Sequence, residues 1–492
     1  MREPGGEGLQ PAPEWRRADV VGIVVLTLVG AGLRIIGLNE GLWVDEIATL
    51  VNHVLTPVRD IIGDYGSRNN HILYSVLAHF SVEQFGASAW ALRLPAALFG
   101  IATIPAAWYL GRQLASRSEA WVATAFLTFS YHHVWFSQNA RGYSGLLFGS
   151  VLSTILFIRL LSPRTAGYGT IIAYAVCAAL TCWLHLMGAA VMVSHGLIWL
   201  VLTLYRRGAG STDVPLATLP ALVLAGGICL LLYLPALDPV VVQFVDVPAQ
   251  RAGPGTLPSL GWMAGEFWAG GLRAVPGGWP VALLAWLVAG FGVVAWLRRG
   301  LVATAILILP MVAILLIAAA VNAVVFPRFF FGSMVFMLLI GVGGGFALGR
   351  IVVPWLGRRS LTALGLAVAL ATSVMVPGAW QPKQDYEGAA AFVESRWQPG
   401  DVVLASNAVA EPMRQYLGLD WSELQSLSQL NDLEHNHRRI WLVYSLPRSW
   451  AGDLPGIWTK LCEDYILMHT FRGTVGGGDL VVMLNAKGGR AP

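Results

Sequence analysis

Charge is what this sequence has least of. Only 12% of its 492 residues are Asp, Glu, Lys or Arg, while 56% are hydrophobic; a soluble chain carries about 25% charged residues. The shortage excludes an ordinary soluble domain and places the chain in the membrane class. Cysteine is scarce too. Cys177, Cys182 and Cys229 fall in apolar runs and Cys462 stands alone near the C-terminus, so neither a disulfide framework nor a thiolate zinc site can be built. The formal net charge is +4, and the basic residues are scattered in pairs. They form no basic face, which excludes a nucleic-acid partner. No internal repeat is visible.

What is present is a series of long apolar runs. Residues Met1 to about Arg17 are polar and rich in Pro and Gly, and the first run follows at about Val20–Leu38. It is long enough to span a bilayer, and no small-residue cleavage site follows it, so a retained span is expected. Ten further runs, from about Trp90–Gly111 through Trp121–Trp135 to Leu361–Val376, bring the expected total to about 11. The pattern predicts an α-helical polytopic membrane protein whose first partner is the lipid bilayer.

Loop arginines orient the spans. Arg16/Arg17, Arg112/Arg117, Arg159/Arg164, Arg206/Arg207, Arg298/Arg299 and Arg350/Arg358/Arg359 all fall on one side, the cytoplasmic one, provided that His71–Phe85 does not cross. That segment is shorter than the ~20 residues a spanning helix needs. It is also amphipathic, with Ile72, Leu73, Val76, Leu77 and Phe80 in one stripe and His71, Ser75, His79 and Glu83 in another. An interfacial helix is the expectation. The predicted organisation is a cytoplasmic tail (1–18), a transmembrane module (19–379) with outer loops at about 39–89 and 236–278, and an extracytoplasmic α/β domain (380–492). Tyr386–Arg396 reads as a helix, and Asp401–Ser406, Ile440–Ser445, Ile466–Phe471 and Asp479–Asn485 read as strands. Gly476-Gly477-Gly478-Asp479 reads as a turn before a strand, because no helix pattern follows it.

The distribution of acids narrows the chemistry. None occurs between Glu119 and Asp213, nor between Glu266 and Asp385. Outward carboxylates are therefore Glu40, Asp45, Glu46, Asp60, Asp64 and Glu83 in the first loop, and Asp238, Asp246 and Glu266 in the second. A general base would be drawn from these. Asp45 and Glu46 sit where the first span ends, between Trp43 and Ile47, where partial burial can tune a carboxylate. A solvated pair opening a loop is the ordinary alternative.

Arginines supply the second signal. Arg34, Arg93, Arg141 and Arg328 each lie within or beside an apolar run near its outer end. Charges there are costly and usually have an anionic partner, a phosphate at headgroup depth being the natural one. Snorkelling to the interface is the alternative for Arg34 and Arg93. Arg141 and Arg328 sit in tight outer turns, which favours function. His71, His79, His132, His133 and His185 are all placed near the outer face, without metal-ligand spacing such as H-E-x-x-H. They read as hydrogen-bonding or substrate-contact groups. No cofactor is certain, and a divalent metal is left open.

Several stretches resemble GT-C glycosyltransferases that use lipid-linked sugars. Trp43-Val44-Asp45-Glu46 resembles the acidic motif of their first outer loop. Asn70-His71-Ile72-Leu73-Tyr74 is similar to N-H-P-P-L-Y, and Ala91-Leu92-Arg93-Leu94-Pro95 to A-L-R-L-P. Ser137-Gln138-Asn139-Ala140-Arg141-Gly142-Tyr143 resembles S-Q-E-A-R-x-Y, and Pro382-Lys383-Gln384-Asp385-Tyr386-Glu387-Gly388 resembles P-K-x-D-W-R-G. Arg328-Phe329 stands where the family often has Arg-Tyr. The motifs occur in order over nearly the whole chain; each alone is weak and together they are specific.

The resemblance implies a relative of protein O-mannosyltransferases and of the transferases that add aminoarabinose to lipid A. Such a protein takes a sugar from a polyprenyl-phosphate donor at the outer face of the membrane and usually inverts the anomeric centre. Carried onto this chain, it makes Asp45 the base with Glu46 beside it, and Asn70, His71, Arg93, Arg141, Tyr143 and Arg328 substrate-binding residues. The partners would be the donor lipid and a hydroxyl-bearing envelope acceptor, and the location a cell inner membrane. Two departures matter: Ile72-Leu73 replaces the Pro-Pro pair, and Asn139 replaces a Glu, removing a second carboxylate. The competing class is a multi-pass lipid or solute transporter or flippase, for which mid-membrane ionisable residues and repeated halves would speak.

Overall fold

A computed structural model describes residue 9 and residues 15–66, 69–162, 165–211, 213–243, 278–320, 325–447 and 455–485. Most of the expected second outer loop, with Asp246 and Glu266, lies outside them. In chain order the first helices are α1 (Arg17–Ile35), α2 (Val44–Thr49, continued by a π-helical turn over Leu50–Val54), α3 (Val58–Gly63), α4 (Ile72–Phe85), α5 (Ala89–Leu114) and α6 (Arg117–Thr128). Then come α7 (Tyr131–Ser137), α8 (Tyr143–Leu160), α9 (Tyr168–Leu184), α10 (Gly188–Gly208), α11 (Thr218–Tyr233) and α12 (Leu237–Val241). They are followed by α13 (Gly278–Leu297), α14 (Leu301–Ala320), α15 (Met334–Val352) and α16 (Arg358–Ala371). The residues fall into two compact units. The first is Met1–Ile36, Val58–Ala78 and Arg93–Val376; the second is Gly37–Pro57, His79–Leu92 and Pro377–Pro492.

The chain is a multi-pass membrane protein. Among the described residues nine helices are long and apolar enough to cross a bilayer, and α9 is a shorter apolar helix. Their outer faces are apolar: Val21 and Leu28 of α1 are more than 60% exposed, as lipid-facing side chains are. The inner faces meet through small residues. A Cβ on Gly344 would lie 2.0 Å from the Val288 carbonyl, and one on Gly149 2.1 Å from Thr181 Oγ1, so α15 meets α13, and α8 meets α9, almost backbone to backbone.

The run expected to span at Trp121–Trp135 is built differently, as α6 and α7 with a break at Phe129-Ser130. The Ser130 hydroxyl accepts from the His133 amide and starts α7, leaving the last carbonyls of α6 without helical partners. Arg34 takes them up. This buried guanidinium donates from Nη1 to Gly30 O (2.8 Å) and Thr128 O (3.5 Å), and from Nη2 to Leu127 O (3.5 Å). Nη2 also lies 2.6 Å from His133 Nδ1, which must accept because an arginine only donates. Arg34 therefore does not snorkel; fully buried, it caps a helix end.

Helix α4 has 14 residues, roughly 21 Å at 1.5 Å per residue, too short for a ~30 Å hydrocarbon core. Burial follows position along the helix more than stripe: His71, Ile72 and Ser75 near its start are buried, while Phe80 and Glu83 towards its end are exposed.

In the second unit the C-terminal residues form a five-stranded sheet in the order β2-β1-β3-β5-β4, from β1 (Val402–Ala405), β2 (Ser422–Glu423), β3 (Ile440–Tyr444), β4 (Tyr465–Phe471) and β5 (Leu480–Asn485). The first three run parallel, with Leu404 opposite Leu442, and β5 returns antiparallel, with Val443 opposite Val482. Strand β3 is buried throughout, as a central strand should be. Helices α17 (Tyr386–Glu394), α18 (Asn407–Gln415), α19 (Leu427–Asn436) and α20 (Pro455–Asp464) accompany it. Gly477 takes a φ of +77° in the turn before β5, a conformation that favours glycine.

Replacing Arg34 with Met should destabilise the protein by roughly 2–5 kcal/mol, since each buried acceptor left unpaired costs about 1–3 kcal/mol. Val21→Ala on the lipid face should stay within about 0.5 kcal/mol. Unfolding of both variants in one detergent checks this.

Candidate active site

The acid pair belongs to the second unit. Trp43 is extended and ends the strand-like entry to α2, so Val44, Asp45 and Glu46 form its first turn. Negative charge is favoured there by the helix dipole. The two acids have different surroundings. Glu46 is fully buried; its Oε2 accepts from the Trp43 amide (3.4 Å) and its Oε1 lies 3.9 Å from Nζ of buried Lys383. Burying this carboxylate beside an ammonium group fixes it. Asp45 is half-buried, and its charge is felt by the Tyr386 hydroxyl, whose pKa is raised mainly by burial and secondarily by Asp45. Of the pair, Asp45 is the one left accessible.

Gln384 completes this turn. Its Oε1 accepts from the Val44 amide (3.0 Å) and from Tyr386 OH (3.1 Å), and its Nε2 donates to Ser445 Oγ (2.9 Å). A cavity of about 50 Å³ lined by Glu40, Gly41, Gln384, Tyr386, Glu387 and Tyr416 lies alongside. It is water-sized and too small for a sugar. A larger groove, about 450 Å³, is lined by Trp397, Asp420 and Trp421 among others and by none of the expected site residues.

The basic cluster belongs to the first unit. Asn70 donates to Ile61 O (2.9 Å) and Asp64 O (2.7 Å), and accepts from Ser75 Oγ (2.8 Å). The bond to Ser75 fixes the start of α4 and thus the neighbouring His71. The Gly142 amide donates to His71 Nδ1 at 2.7 Å. That approach needs a glycine, since a Cβ there would meet Leu184 O at 2.1 Å and His71 at 3.1 Å. With Nδ1 accepting, the neutral ring carries its proton on Nε2. Arg141 Nη2 lies 3.4 Å from that Nε2. The guanidinium is thus set directly against the imidazole edge.

The same logic holds for His185. Its Nδ1 accepts from the Met187 amide at 3.2 Å, leaving Nε2–H to donate. Its ring lies 4.5 Å from that of His71 and 4.9 Å from that of Tyr143, and the guanidinium of Arg141 stands 5.8 Å from the Tyr143 ring. The charges of Arg141 and Arg328 both act on His185. Arg328 is exposed in the 3-10 turn Pro327–Ser333, its guanidinium 4.8 Å from the Phe326 ring. The cluster thus gathers imidazole and guanidinium groups, a chemistry compatible with an oxyanion.

The structure brings His71, Arg141 and Tyr143 together and places Arg328 within electrostatic reach; Arg93 is fully buried near the start of α5. His185 was expected only as one of five outer-face histidines, and Gly142, Lys383 and Gln384 were not singled out, although each lies in a motif quoted above. Among the described residues no group of three His, Cys, Asp or Glu side chains could hold a metal ion. The basic cluster does not suit one, because its imidazoles offer N–H groups where a metal needs lone pairs, and Asn139 replaces a carboxylate.

Fold and helix arrangement are those of the GT-C glycosyltransferases. ArnT from Cupriavidus metallidurans in the apo state matches 96% of this chain and 100% of its own, with TM-score 0.56 at 13% identity. An Archaeoglobus fulgidus oligosaccharyltransferase complexed with Zn and sulfate matches 93% of this chain and 72% of its own, with TM-score 0.53 at 13% identity. Archaeal oligosaccharyltransferase AglB from Archaeoglobus fulgidus, with an inhibitory peptide and a dolichol-phosphate, matches 94% and 74%, with TM-score 0.51 at 12% identity. At these identities the likeness is one of fold. No family model matches the chain, and a search of curated proteins finds no match.

If the imidazole and guanidinium donors form an oxyanion site, a polyprenyl phosphate in detergent should raise the thermal midpoint by several degrees. Arg141→Ala should remove more than half of that increase, while His185→Phe should reduce it partly. An equal increase in all three proteins would show that the lipid tail alone is bound.

Proposed function

We propose that the protein is a glycosyltransferase that moves a sugar from a polyprenyl-phosphate donor to a hydroxyl-bearing envelope acceptor, a lipid, glycan or protein, at the outer face of a cell inner membrane. The observation that carries the reading is the clustering of Arg141 with His71 (Nη2 to Nε2, 3.4 Å), Tyr143 and His185, on which the charge of Arg328 also acts. It is supported by a GT-C fold over nearly the whole chain and by the dolichol-phosphate in a structure of AglB.

In this reading Arg141, Arg328, His71 and His185 bind the donor phosphate. Asn70 and Tyr143 shape that site, and buried Arg93 supports it. Asp45 takes the proton as the acceptor hydroxyl attacks the anomeric carbon. The bond from that carbon to the phosphate oxygen breaks, and polyprenyl phosphate departs with the electron pair. Attack from the face opposite the leaving group inverts the centre. No general acid is needed, because the phosphate leaves as a stabilised anion held by the guanidinium groups. Glu46, already committed to Trp43 and Lys383, holds the turn. The C-terminal domain lies outside the membrane on the same side as the reaction and guides the acceptor.

Asp45→Asn should lower turnover by roughly 10²–10⁴-fold with donor binding retained, and Glu46→Gln should do less harm to chemistry and more to stability. Turnover of Asp45→Asn within a few-fold of wild type would remove Asp45 from the base role. Sidedness has its own check. A cysteine at Arg117 should be shielded from an impermeant thiol reagent in intact cells, and cysteines at Asp64 and Asn407 should be labelled. Labelling at Arg117 would reverse the orientation of the spans that follow α4.

A further inference from the structure

The glycosyltransferase reading requires Asp45 to be held at a fixed place, and the structure contains the device for it. Two consecutive residues, Lys383 and Gln384, reach the residues on either side of Asp45. Gln384 Oε1 takes the Val44 amide at 3.0 Å, and Lys383 Nζ stands 3.9 Å from Glu46 Oε1. Asp45, between two held neighbours, is less buried than Glu46.

We infer that Gln384 is a positioning residue for Asp45, coupling the acid turn to the C-terminal sheet. The orientation of its amide is fixed by its partners. Oε1 faces the Val44 N–H, so it must be the oxygen, and Tyr386 OH lies 3.1 Å from it; Nε2 faces Ser445 Oγ at 2.9 Å. Every partner is itself tied down. Tyr386 OH also reaches Ala408 O (2.8 Å), Ser445 follows β3 directly and is buried, and its amide donates to Ser406 Oγ (3.4 Å). Gln384 is itself 1% exposed, so water does not replace these bonds when one is lost. The Val44 amide is among the helix N–H groups that have no partner within α2. Without Gln384 the first turn would fray, and Asp45 is in that turn. A displacement of about 1 Å at a reacting group can cost 10²-fold in rate.

This inference rests on the glycosyltransferase reading for its kinetic part and on α2 alone for its structural part, so two measurements separate them. In the full-length protein in detergent, Gln384→Ala should lower kcat roughly 10–100-fold while the donor KM changes less than twofold. Amide hydrogen exchange over residues 43–49 should accelerate, with β3 and β5 unchanged. Gln384→Glu keeps the accepting oxygen but adds a charge to a neighbourhood that already holds Asp45, Glu46, Lys383 and Tyr386. Its kcat should return to within a few-fold of wild type at alkaline pH, and the acidic limb of its pH profile should move to higher pH, since a further negative charge opposes ionisation of the base. Unchanged kcat per folded molecule in Gln384→Ala, or a defect confined to the donor KM, would overturn the inference. Unaltered exchange at residues 43–49 would overturn it whatever the kinetics. If wild-type protein transfers no sugar from any polyprenyl-phosphate donor, the glycosyltransferase reading fails; the exchange measurement then still decides whether Gln384 holds α2.

Discussion

The hydrogen bond from the Gly142 amide to Nδ1 of His71 governs the chemistry of the first unit. It fixes which nitrogen of the imidazole carries the proton, and so turns the other nitrogen outward as a donor. Through Gly142 it also fixes the turn that carries Arg141 and Tyr143. The remaining parts of Ser137–Tyr143 serve the same end. Gln138 Nε2 donates to Arg34 O at 3.1 Å, Ser137 Oγ to His133 O at 2.5 Å, and Ser144 Oγ to Phe136 O at 2.8 Å. A stretch that reads in the sequence as a binding motif is, in the structure, mostly a brace that leaves a few donors presented.

Two economies run through the membrane part. Backbone polar groups freed by the break between α6 and α7 are met by one arginine, since hydrocarbon cannot solvate them. Elsewhere helices approach through glycine, as at Gly344 against Val288, with polar contacts such as Trp296 Nε1 to Leu339 O (3.0 Å) beside them. The second unit works with other means: a water-excluded carboxylate beside a lysine, and an amide side chain that takes two donors on one oxygen.

Much of this was legible in the sequence. Apolar runs of about twenty residues reveal spans because hydrocarbon thickness sets their length, and four strands of the C-terminal domain were found within a residue or two, while two-residue β2 was too short to leave a pattern. The broken span was not legible. Residues 121–135 are predominantly apolar, and the break at Ser130 is stabilised by Arg34, nearly a hundred positions earlier, which meets the exposed carbonyls. Helix α18 was missed because Pro412 lies inside it and argues against a helix locally. For the site, Asp45 was named by eliminating other acids and by its motif, and His71 and Arg141 by theirs; the structure brings His71 and Arg141 side by side. Gly142 and Gln384 act by what they permit or hold, and that depends on neighbours far away in the chain.

The sheet of the second unit has two edges of different make. Strand β2 pairs through only Ser422 and Glu423, and β4 carries an irregularity between Leu467 and His469, just after exposed Ile466 and Leu467. A short edge and a bulged edge are both poor templates for another chain. A domain that must stay folded in a compartment crowded with other proteins thereby avoids strand-by-strand aggregation, although it exposes apolar side chains along one border.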